Sequence, residues 1–125
     1  MKRNLFCVYD NRPFSAVQHT EFGMNNIVVP YDANFIYPGK HPDYFGASPV
    51  AMVGLARRKG YRLVGANRFG FNLIFARKGI FEDRVPEVSL ESVLQHPRYA
   101  ERLSLFEAVK NFPYVAPDPS CVAPA

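Results

Sequence analysis

The stretch from Ser48 to Arg77 restricts the fold more than any other part of the sequence. Ser48-Pro49 is a helix start. The serine hydroxyl can accept from first-turn amides, and proline suits the first helical position, where its missing N–H costs nothing. Val50, Val53 and the Met52, Leu55 and Ala56 group then give a broad apolar face. Arg57, Arg58 and Lys59 complement the negative end of the helix dipole, and Gly60 supplies a left-handed stop. Two β-rich runs follow without a linker, residues 61–66 and 71–77, separated by Asn67-Arg68-Phe69-Gly70. Runs this close predict an antiparallel hairpin. Both are apolar on both faces, with Leu63 and Val64 in one and Leu73, Ile74 and Phe75 in the other, so the sheet is expected to be covered on both sides.

The flanks are less regular. Residues 5–9, LFCVY, form a short apolar run before Asp10-Asn11-Arg12-Pro13 and read as a buried strand. Residues 14–26 are ambiguous between a short helix and a loop. Residues 26–29 look extended, and Pro30 ends them. Residues 30–46, PYDANFIYPGKHPDYFG, make a long ordered loop dense in Pro, Gly and Tyr, of a length more often functional than merely connecting. Ser89 begins a helical stretch that breaks at His96-Pro97. Tyr99, Leu103, Phe106 and Val109 mark one face of a final amphipathic helix, stopped by Asn111 and Pro113. The expected organisation is one α/β domain over residues 1–115 and a flexible Pro/Ala-rich tail over 116–125.

Composition narrows the class. A chain of 125 residues with 48% hydrophobic residues, seven Tyr and eleven Phe is neither disordered nor a disulfide scaffold. Cys7 and Cys121 lie far apart with no Cys/His cluster, so they read as unpaired thiols of a reducing compartment. The apolar run after the positive N-terminus is too short for a signal-peptide core, and nothing approaches the roughly 18 apolar residues of a membrane span. A soluble, cytoplasmic protein with no membrane partner is expected. The net charge of +4 is concentrated in residues 44–81, which hold seven basic groups (Arg57, Arg58, Lys59, Arg62, Arg68, Arg77 and Lys78) and no acidic one. A basic middle attracts phosphate or a nucleic-acid backbone. The same residues also serve as helix caps and strand ends, a role favoured by the lack of any nucleic-acid motif around them.

Several residues have types suited to chemistry. Asp10 and Asn11 follow the first expected strand, where open α/β sheets place ligand contacts; a solvated turn explains them as well. Tyr31, Asp32, Tyr37 and Tyr44 in the long loop suit a substrate pocket, with aromatic faces for a sugar or other ring and Asp32 as acceptor or base. Equally, Asp32 suits an Asx turn and the tyrosines suit packing. Asn67 and Asn72 bracket the hairpin turn, as turn residues or as ligands. His19, His41 and His96 lack metal-ligand spacing and read as surface or capping groups. Ser48 has no G-x-S-x-G around it and reads as a cap rather than a nucleophile.

The segments Val29-Pro30-Tyr31-Asp32, Tyr44-Phe45-Gly46-Ala47-Ser48, residues 59–65 (KGYRLVG) and residues 72–77 (NLIFAR) occur in an order and spacing that resembles the C-terminal half of FkbM-like, class I SAM-dependent methyltransferases. The match covers about 50 residues well and, more loosely, the chain to Tyr114. The resemblance implies a truncated Rossmann-like α/β fold with a mixed sheet. Such sheets end in a strand, a helix, a strand and an antiparallel last strand inserted into the sheet, followed here by C-terminal helices. Residues 5–9, 49–59, 61–66 and 71–77 would supply those four elements.

That family binds its cofactor through a glycine-rich turn after the first strand and an acidic residue ending the second. No G-x-G occurs in this chain, so the cofactor-binding half is expected to be absent and the sequence holds no cofactor or metal site of its own. The resemblance thus implies a methyltransferase-related domain that is not catalytic alone. It would act as a homodimer, or as a subunit beside a protein carrying the S-adenosylmethionine-binding half. The apolar strand edge at residues 5–9 gives a motive for pairing. Two alternatives remain: a methyltransferase on a sugar-like or other small substrate, active only when assembled, and a basic module for anions or nucleic acid.

Overall fold

The computed structural model describes residues 14–17, 20–68 and 72–117. The expected strand at residues 5–9, with its edge, and Asp10, Asn11, His19, Cys7 and Cys121 lie outside the described residues. The architecture is α/β. A three-stranded sheet of β1 (Phe14–Val17), β2 (Tyr61–Ala66) and β3 (Asn72–Arg77) packs against α1 (Pro49–Arg58), α2 (Leu90–Leu94) and α3 (Pro97–Leu103).

The α1 boundaries follow from local chemistry. The Ser48 hydroxyl accepts from Ala51 N at 3.1 Å, and Pro49 occupies the first turn. At the other end Gly60 takes φ +84° and its N–H donates to the Arg57 carbonyl at 3.0 Å. Ser48 also has a second use. Its hydroxyl accepts from Ile27 N at 3.2 Å, and its own N–H donates to Ile27 O at 2.9 Å. That ties residues 26–29 to the helix start. Those residues are extended but do not join the sheet; Val28 instead makes isolated bridges with Ala47 and Val115.

The hairpin forms as expected, with Tyr61 opposite Arg77 and Leu63 opposite Phe75. A bulge between Leu63 and Gly65 shifts the register, so that Gly65 pairs with Ile74 and Ala66 with Leu73. The ambiguous segment after Pro13 supplies a strand rather than a helix: Phe14 pairs with Phe75 and Val17 with Asn72, antiparallel. The free edge of β3 outweighs the weak local preference of these four residues, a tertiary effect invisible in a local reading. The sheet order is β1-β3-β2, with β3 antiparallel to both neighbours. β1 and β2 therefore run parallel to one another, separated by β3. Every neighbouring pair within the described sheet is antiparallel, whereas a mixed sheet was expected.

One sheet face is the main core. Tyr61, Leu63, Leu73 and Phe75 meet Val53 and Ala56 of α1, Leu90 and Leu94 of α2, and Tyr99 of α3. On the opposite face of β2 the Arg62 side chain is enclosed by a peptide loop. Residues 78–86 wrap the buried Arg62 guanidinium, which donates to the carbonyls of Val85 and of Ile80, the latter at 2.8 Å. A second core of Phe22, Tyr44 and Val109, flanked by Ile27, Val29, Phe106, Phe112 and Tyr114, gathers the long loop and the chain's later segments.

The C-terminal helices correct one expectation. Ser89 caps α2 and His96 caps α3, but α3 ends at Leu103 and continues as a 3₁₀ turn over Ser104–Ala108. The tighter period begins after Leu103 and shifts only Phe106 and Val109 relative to a continuous α-helix. Leu103, expected on the buried face, is 39% exposed, while Tyr99 and Val109 are buried. No helix among the described residues is long and apolar enough to cross a membrane.

Candidate functional site

The long loop forms a shallow groove of about 520 Å³ whose lining includes Pro30, Tyr31, Asp32, Asn34, Phe35, Ile36, Lys40, Tyr44 and Pro113. Tight turns fix its walls. Asp32 Oδ1 accepts from Asn34 N at 2.9 Å, an Asx turn, and the Asp32 carbonyl accepts from Phe35 N at 3.2 Å. Gly39 N donates to Ile36 O at 2.8 Å across the cis Tyr37–Pro38 bond. At the loop's end His41 Nδ1 accepts from Asp43 N at 3.0 Å.

Three of the expected site residues, Tyr31, Asp32 and Tyr44, therefore line one groove, yet in different roles. Tyr31 is exposed. Tyr44 is anchored: its ring lies 4.8 Å from Phe112 and 5.4 Å from Tyr114, and its hydroxyl donates to Pro113 O. Burial pushes the Tyr44 phenol up from its ordinary value. Beside it, burial first, then Tyr44 and then Glu21, push Tyr114 up to about 12. Both remain protonated donors at neutral pH. Tyr37 is exposed outside the groove lining, its ring edge-on to Phe45 at 5.8 Å.

Asn67 and Asn72 sit at the hairpin end, not in this groove. Asn67 N donates to Asn72 O at 3.0 Å, and Asn72 N donates to Asn67 Oδ1 at 3.2 Å. The Tyr99 hydroxyl lies 3.1 Å from the Asn67 carbonyl oxygen and 3.4 Å from that of Asn72. Both asparagines close the turn. Asp10, the other weak catalytic candidate, is outside the described residues. No group of three or more His, Cys, Asp or Glu among the described residues could hold a metal ion. His96 Nδ1 accepts from Arg98 N at 3.2 Å as a helix cap.

The basic middle does not form one continuous charged surface. Lys59 and Arg62 are buried, and Arg77 lies 5.9 Å over the Tyr61 ring. Arg57 and Arg58 contribute to a second groove, of about 480 Å³, between α1 and the start of α2, where Glu91 offsets their charge.

Pattern reading missed Phe35 and Ile36, which lie in the groove lining with large exposed surfaces. Their signal was available: apolar residues inside a turn-rich segment have no periodic face to bury them. Compared with models of known families, with curated proteins and with solved structures, the chain matches none.

Proposed function

We propose that the chain is a methyltransferase-related α/β domain that is not catalytic by itself and works as a homodimeric subunit in a reducing, cytoplasmic setting. The observation that supports this reading is the strand order. β3 lies between β1 and β2, antiparallel to both, and β2 follows α1 directly. A final strand inserted antiparallel beside the preceding helix–strand unit is the arrangement that the resembling family would give. β1 then takes the place expected of residues 5–9.

The sequence has no G-x-G turn, and the acid in the long-loop groove, Asp32, accepts from Asn34 N in an Asx turn rather than ending a strand, as a ribose-binding acid of that family would. Cofactor binding would therefore come from a complementary half in another chain. The test combines S-adenosylmethionine titration with the mass in solution at micromolar concentration. The expected result is no saturable binding at millimolar ligand and twice the monomer mass of 14.2 kDa. Saturable cofactor binding would replace this reading with an enzyme active alone, and a 14.2 kDa particle would remove the homodimer.

A further inference from the structure

Large apolar side chains reach solvent most densely at one place among the described residues. Within seven positions Tyr31 is 64% exposed, Phe35 42%, Ile36 81% and Tyr37 62%. They are held in place. Phe35 and Tyr37 each stand 5.8 Å from the Phe45 ring, and the turns at Asp32 and Ile36 fix the backbone between them. Gly39, at φ +59°, lets Phe35 lie against the main chain, where a Cβ would come within 2.7 Å of that ring. Docking this surface costs little further ordering, and a preorganised aromatic patch with few charges has the composition of an interface core.

The charges on the patch indicate what covers it. Asp32 and Lys40 both line the groove, and neither forms an ion pair with a described residue. A strongly charged partner would be met by one sign of charge. One acid and one base beside an apolar centre are instead complementary to themselves across a twofold axis, as an isologous contact requires.

We infer that this loop is the self-association surface, in which Ile36 and Phe35 of each copy enter the other's groove and Asp32 faces the partner subunit's Lys40. The inference rests on the homodimer proposed above and gives it a location.

The test is sedimentation of the full chain at micromolar concentration, as wild type, I36D, D32K, K40D and an equimolar mixture of the last two. The wild type is expected to be a dimer, with I36D dissociating at least about tenfold more readily, since it sets a carboxylate in the centre of an apolar contact. D32K and K40D are each expected to weaken the dimer, because each doubles a like-charge contact. Their mixture is expected to restore it, because two cations then face two anions. A wild-type dimer that I36D leaves intact would overturn the location while sparing the homodimer. Single-charge variants that weaken association without rescue in the mixture would overturn the twofold pairing. A monomeric wild type would overturn both readings, and binding of that monomer to anionic phospholipid vesicles would assign the patch to a membrane surface.

Discussion

Arg102, in the last turn of α3, places its Nη2 3.0 Å from the carboxylate of Glu21, whose side chain is fully buried. The same guanidinium donates from Nε to Thr20 Oγ1 at 2.8 Å. One side chain thus joins the 3₁₀ turn at Thr20–Phe22 to the C-terminal helix, across a large separation in sequence. Removing the guanidinium from a buried carboxylate costs about 3–5 kcal/mol, far more than an exposed pair contributes. Arg102→Ala is expected to lower the unfolding free energy measured in urea by about 3 kcal/mol, the lower end of that range, since Arg102 itself is partly solvated. Lys110→Ala, which breaks the exposed Lys110–Glu107 pair at 2.7 Å, is expected to cost less than about 0.5 kcal/mol. Equal effects from the two variants would show that the Arg102 contact carries no special weight.

Tyr114 links this region to alkaline stability. Its hydroxyl donates to Val109 O at 2.8 Å, and its pKa is pushed up to about 12 by burial and by the neighbouring Tyr44 and Glu21. An unfolded phenol ionises near pH 10, so between about pH 10 and 12 the folded chain holds a proton that the unfolded chain has lost. The stabilisation is therefore complete below pH 10 and falls as pH rises through 12. Phenolate absorbance is expected to show at least one tyrosine titrating near pH 12 in the folded chain, and the urea midpoint is expected to decline over the same window. In Tyr114→Phe the decline should be shallower. A titration with every tyrosine near pH 10 in folded protein would contradict this account.

Local signals made α1 and the hairpin legible, because Ser48, Pro49, Gly60 and the two β-rich runs act on neighbours a few residues away. β1 was not legible, since what makes Phe14 a strand residue is Phe75, far along the chain. The long loop shows the same limit within one residue type. Tyr31, Tyr37 and Tyr44 look alike in sequence, yet only Tyr44 is buried, because Phe112 and Tyr114 return from the far end of the chain to enclose it. Asn67 and Asn72 could be placed in a turn from sequence, whereas the Tyr99 hydroxyl that braces them could not. Arg62 read as part of a basic run because charge counting cannot see a loop folding over it.

That loop depends on Arg62. Its guanidinium donates to the carbonyls of Ile80 and Val85 and stands 3.7 Å from the Glu82 carboxylate. A hydrogen bond to a charged group contributes about 1.5–3 kcal/mol, so two such contacts hold residues 78–86 to the sheet. Arg62→Ala is expected to cost about 3 kcal/mol by urea unfolding. It is also expected to speed amide exchange at Arg84 and Val85, whose N–H groups both donate to Phe81 O, before exchange rises in β3. Uniform exchange across loop and sheet would mean that the loop has no separate stability to lose.

At the apex of the same loop Phe81 adopts φ +57°, a left-handed conformation that costs a residue with a Cβ roughly 1–2 kcal/mol. The strain persists because the turn is fixed on both sides: the Phe81 carbonyl accepts from Arg84 N at 3.0 Å and from Val85 N at 2.8 Å, while Gly79 N donates to Glu82 Oε1 at 2.8 Å. The Phe81 side chain is 58% exposed, so its removal forfeits little burial. Phe81→Gly relieves the strain against a glycine entropy cost of about 0.5–1 kcal/mol and is expected to raise stability by a few tenths to about 1 kcal/mol. Phe81→Ala keeps the Cβ and gains none of this. A urea midpoint that falls in Phe81→Gly would show that the aromatic ring packs in solution, and one that rises equally in Phe81→Ala would show that the gain does not come from relief of backbone strain.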